Sequence, residues 1–100
     1  MTIRHVVTWK LASEDVSQRA AQAAEVARRL NALEGVVPEI LAISAGANSL
    51  YADVNWDVTL VADFADAAAL EAYQVHPAHV EAAGYIKSVV AGRVAVDFEV

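Results

Sequence analysis

Three observations predict an α+β fold in which helices cover one face of a four-stranded antiparallel sheet. Three segments alternate apolar and polar residues with a period of two. A stretch between the first and second strands carries apolar residues at spacings of three and four. Read with a weaker strand and a second helical region, the order is β-α-β-β-α-β. With 100 residues the chain has the size of a single domain, residues 1–100. Its hydrophobic fraction of 57% includes 22 alanines and 16 valines, so large core side chains are scarce and association would add burial.

The first element spans Ile3 to Leu11. Ile3, His5, Val7 and Trp9 share one face, and Arg4, Val6, Thr8 and Lys10 the other. Ser13 is the expected N-cap of the first helix, with Glu14 and Asp15 in its first turn where acids favour the helix dipole. Val16, Ala20, Ala23, Ala27 and Leu30 form its apolar stripe. Arg28 and Arg29 suit its end, Gly35 is a natural stop and Pro38 prevents continuation.

Ile40 to Ala47 reads as a second strand diluted by alanine and serine, followed by a loop that runs to about Val54. In the third strand Val54, Trp56, Val58, Leu60, Ala62 and Phe64 alternate with polar neighbours. Asp66 can cap a short helix carrying Leu70 and Tyr73, and Pro77 breaks it from a helical stretch over Ala78 to Ala91. Arg93 to Val100 alternates again as the last strand.

This order is the ferredoxin-like arrangement, with both crossovers right-handed and the helices on one face of the sheet. Ile3, Val7, Trp9, Trp56, Leu60, Phe64, Val96 and Phe98 are expected beneath the helices. The open face then mixes Val6, Thr8, Val61 and Ala95 with Arg4, Lys10, Asp57, Asp63 and Asp97. Such a face is more apolar than solvent requires, which predicts a homodimer formed by stacking two sheets. The competing reading is a solvated monomer whose valines satisfy strand propensity.

Seven basic and thirteen acidic residues give a net charge of −6, which opposes nucleic acid and anionic membranes. No apolar run approaches a membrane span, and Arg4, His5 and Lys10 interrupt the opening stretch, unlike a signal peptide. The expected setting is cytoplasmic. Without cysteine, thiolate metal sites and cysteine nucleophiles are absent. No cofactor motif is present, and His76 and His79 lack the acidic neighbour at the spacing a metal motif needs, so neither cofactor nor metal is expected.

Titratable side chains gather in Tyr73-Gln74-Val75-His76-Pro77-Ala78-His79-Val80. Pro77 can start a helical turn and so aim His79. His5, on the inward face of the first strand, can meet Tyr73 and His79 and enclose a polar spot in an apolar pocket. An imidazole base beside a phenol donor suits proton transfer near neutral pH. The bland alternatives are a satisfied core His5, a half-buried Tyr73 with its hydroxyl at the surface, and a His76 at a helix end pointing to solvent.

Three segments, Ile3-Arg4-His5-Val6-Val7-Thr8-Trp9-Lys10, Tyr73 to Val80 with its H-P-x-H, and Arg93-Val94-Ala95-Val96-Asp97-Phe98-Glu99-Val100, resemble the stress-responsive A/B-barrel (Dabb) family over the whole chain. The resemblance implies a dimeric α+β barrel and a stress-associated protein. In the family's best understood catalytic branch, similar to a plant polyketide cyclase, intramolecular aldol closure proceeds without a cofactor. That branch's functional groups fall at His5, Tyr73 and His79, and a further pocket histidine falls at Val58, which is apolar. Two functions follow. One is a cofactor-free enzyme on a small carbonyl or phenolic, polyketide-like compound, with catalytic His79, Tyr73 and His5. The other is a non-catalytic dimer that binds a small apolar ligand or serves a structural role, with the same side chains forming a network between helix and sheet.

Overall fold

The alternating run at the N-terminus becomes β1 (Ile3–Leu11), a central strand of the sheet. The computed structural model describes residues Met1–Val100. After β1 come α1 (Val16–Asn31), β2 (Ala42–Ala47), β3 (Val58–Phe64), α2 (Ala67–Val75), α3 (Pro77–Val89) and β4 (Val90–Glu99). The strand order is β2-β3-β1-β4 with every neighbouring pair antiparallel, the ferredoxin-like α+β arrangement. No helix is long and apolar enough to cross a membrane.

The core lies between the sheet and the helices. Val7, Trp9 and Leu11 of β1 and Leu60 and Phe64 of β3 meet Val26 and Leu30 of α1, Leu70 and Tyr73 of α2 and Ile86 of α3. Asp66 caps α2 by accepting from the Ala69 amide at 2.8 Å, and Pro77 opens α3 at a position where its missing N–H costs nothing.

The N-cap of α1 is Asp15, whose carboxylate accepts from the Gln18 amide at 2.8 Å; Ser13 is not the cap. Ser13 Oγ instead accepts from the Asp15 amide and donates to Gln18. The helix therefore starts at Val16, and its first turn holds no acid. Val16 and Ala20 are exposed, and the buried stripe is Ala23, Val26 and Leu30. The larger side chains of Val26 and Leu30 set the helix's rotation, because their burial is worth more than that of alanine.

Both middle strands start later than expected. Helix α1 stops at Asn31, four residues before Gly35, which takes a positive φ of 79° in the following turn. Leu33 and Val37 in this connection are buried, and β2 begins at Ala42 rather than Ile40. Before β3 the chain loops on itself. The Val54 and Asn55 amides both donate to Tyr51 O, and the Asn55 side chain donates to Leu50 O and Asn48. That loop holds Val54 out of the ladder, exposed, and β3 begins at Val58.

The largest correction concerns β4. Its register with β1 runs Lys10 to Gly92 and then Leu11 to Val90, so Ala91 is the extra residue of a β-bulge. A bulge reverses the alternation beyond it. Arg93, Ala95 and Asp97 consequently pair with Trp9, Val7 and His5 and share their helix-side face. Val94, Val96 and Phe98 lie on the open face with Val6, Thr8 and Arg4, not beneath the helices. Trp56 is also on that side, its ring packed over Gly92, where an added Cβ would stand 3.2 Å from Cη2. Of the charged residues expected on the open face, Arg4 pairs with Asp63 at 2.9 Å, while Asp57 approaches Arg19 and Asp97 turns to His5.

Candidate active site

β1 carries His5 under the helices, only 4% exposed, because its side chain falls in phase with Val7 and Trp9. A buried imidazole needs a partner, and the Nδ1–H of His5 donates to the Asp97 carboxylate. That bond leaves Nε2 as the free nitrogen. α2 brings Tyr73 down onto the sheet, where it is fully buried with its ring centroid 4.8 Å from that of Phe64. The His5 ring lies 6.4 Å from Tyr73, edge-on.

The break at Pro77 positions the two remaining histidines differently. His76 is the N-cap of α3, its Nδ1 accepting from the Ala78 amide at 3.1 Å, so this half-buried ring is a structural group. One turn on, His79 returns over α2, with its ring 4.3 Å from that of Tyr73. Its Nδ1 is 3.0 Å from the Gln74 carbonyl, which can only accept, so Nδ1 carries the proton and Nε2 the lone pair. The structure thus brings His5, Tyr73 and His79 together and leaves His76 out.

All three line a cavity of about 630 Å³, whose other walls are mainly apolar and include Trp9, Leu30, Leu60 and Ile86. That is room for a small organic ligand. The Tyr73 hydroxyl is buried and has no hydrogen-bond partner within the chain. Burial pushes its pKa up to about 12, so it stays a protonated donor at physiological pH. Burial, assisted by the charges of His5, Arg93 and His76, lowers the His79 pKa below the ordinary imidazole value, although the bond to Gln74 opposes this. His79 is therefore neutral at pH 7. A neutral imidazole beside an unengaged phenol can take a proton from a carbon acid and stabilise the oxyanion that results.

Sequence reasoning missed Asp97, and with it Arg93, which also lines the cavity. The one available signal was Gly92, an isolated glycine in a strand pattern, which marks a bulge. Val58 is buried in the core and is not among the residues lining the cavity. Nowhere do three His, Asp or Glu side chains converge as metal ligands would.

Comparison with known proteins adds the following. The family model of the stress responsive A/B barrel domain matches residues 3–100. No curated protein sequence matches significantly. A dimeric ferredoxin-like protein of unknown function from Thermobifida fusca is 32% identical with a TM-score of 0.84, covering 100% of this chain and 92% of its own. A dimeric ferredoxin-like protein of unknown function from Bacteroides fragilis is 24% identical with a TM-score of 0.90, covering 99% and 96%. The hydroxynitrile lyase of Passiflora edulis shares the fold at 17% identity and a TM-score of 0.77, covering 97% and 91%.

Proposed function

Since the chain belongs to the stress responsive A/B barrel domain family, we propose that it is a homodimer and a cofactor-free proton-transfer enzyme. Its substrate is a small, largely apolar carbonyl or phenolic compound. The two copies pair through the open sheet faces, where Val94, Val96 and Phe98 are 54%, 63% and 43% exposed, a row that water alone does not favour. Similar proteins that are dimers support the dimeric state. A cytoplasmic setting belongs to the same proposal.

In the proposed reaction His79 Nε2 removes the proton from a carbon next to the substrate carbonyl. The C–H electron pair becomes the C=C bond of an enolate while the carbonyl π pair moves onto oxygen, and that oxyanion accepts a hydrogen bond from the Tyr73 hydroxyl. His5 Nε2 lies on the same cavity and shares the proton, its imidazolium form stabilised by Asp97. The unpartnered, buried Tyr73 hydroxyl carries this reading. It also speaks against the non-catalytic alternative, in which that hydroxyl would be tied into a network between helix and sheet.

Proton abstraction can be read without knowing the natural substrate. In D2O the wild-type protein should accelerate exchange of the methyl protons of small aryl ketones, followed by NMR. His79→Ala should return the rate to that of buffer. Exchange unchanged by this substitution dismisses His79 as the base, and no acceleration by the wild type favours the binding or structural role.

A further inference from the structure

We infer that the ligand of this cavity carries a carboxylate, held by Arg93 and Lys87 while its apolar body and carbonyl fill the pocket beside Tyr73 and His79. This rests on the proposed function and narrows its substrate class. Thirteen acids surround seven bases in this chain, and four of the five arginines are taken up by them. Arg4 pairs with Asp63, Arg19 with Asp57, and Arg28 and Arg29 share Glu25. Arg93 alone of the arginines makes no ion pair, and it lines the cavity.

Its place follows from the bulge at Ala91, which turns Arg93 to the helix side opposite Trp9. Lys87, in the last turn of α3, also lines the cavity and also lacks a carboxylate. Its position suits a helix C-terminus in any case, so Arg93 carries the argument. No acidic side chain lines the cavity. Its polar wall is two cations together with His5, Tyr73, Gln74 and His79, and the rest is apolar. Both cations are exposed, which puts them at the opening rather than the floor. A ligand complementary to this wall has one anionic end and an apolar body. A planar guanidinium matches a carboxylate with two parallel hydrogen bonds. Phosphate sites add a nest of free backbone amides, whereas in the first turn of α3 Pro77 has no N–H and the Ala78 amide is already taken by His76.

The test compares 4-acetylbenzoate with the neutral 4'-methylacetophenone, following the His79 ring resonances by NMR titration. The carboxylate should bind wild type about tenfold more tightly. Arg93→Gln should abolish that preference, and Arg93→Lys should keep part of it. Equal binding of the two ketones by the wild type, or a preference that survives Arg93→Gln, overturns the inference while leaving the cavity as a ketone site. If neither ketone moves a histidine resonance, both the inference and the proposed function fall. Melting temperatures of the two variants equal to that of wild type confirm that the fold is intact.

Discussion

Tyr73 can be separated from the fold by removing one oxygen. Its hydroxyl is buried without a partner, so Tyr73→Phe should leave stability level or raise it by up to about 1 kcal/mol. The same variant should lose ketone exchange, which pairs a urea midpoint with a rate. His79 gives a pH signature. Its folded pKa lies below the unfolded value of 6.5, so the folded state refuses a proton that the unfolded chain accepts. The stability it contributes is complete above pH 6.5 and declines as pH falls from there to the folded value. The loss of urea resistance between pH 7.5 and 5.5 should therefore shrink in His79→Gln. Asp97→Asn should weaken the exchange reaction without unfolding the protein, because an amide can accept from His5 Nδ1–H but cannot stabilise the imidazolium. His5, Tyr73 and His79 were legible in the sequence because strand alternation and a helix break act over a few residues. Asp97 was not, because its face depends on a bulge six residues upstream.

Element boundaries show where local chemistry is decisive. Asp66 and Pro77 were readable because a cap and a missing N–H act on the adjacent backbone. At α1 two candidate caps stand two residues apart, and the choice between Ser13 and Asp15 depends on which side chain reaches the Gln18 amide. Thermal melts should separate them: Asp15→Ala costs about 1 kcal/mol, and Ser13→Ala costs less. The late start of β3 was hidden because the pattern Val54-Trp56-Val58 continues the strand's period, whereas the loop's bonds to Tyr51 O and Leu50 O remove its first half. Trp56 rests on Gly92, where an added Cβ would crowd the ring at 3.2 Å, so Gly92→Ala should nudge the indole and change its fluorescence.

At the scale of the molecule, Val94, Val96 and Phe98 form a row that one copy leaves in water. Val96→Lys should turn a sedimenting dimer into a monomer at micromolar concentration; a dimer that persists places the interface elsewhere. The sequence displayed this row plainly, and period-two reasoning assigned it to the wrong side because burial by a partner and burial by a helix leave the same pattern. The bulge at Ala91 decides between them, and its effect reaches past packing. A slip of β4 by one residue would tuck the three apolar side chains inward and carry Asp97 away from His5. The proposed pairing of two copies through that row would hold β4 in its native register by covering the three side chains. Under that proposal protein concentration would act as an effector of the imidazole–carboxylate pair. If the row is the seam between two copies, the Nδ1–H resonance of His5 should fade on dilution in step with dissociation.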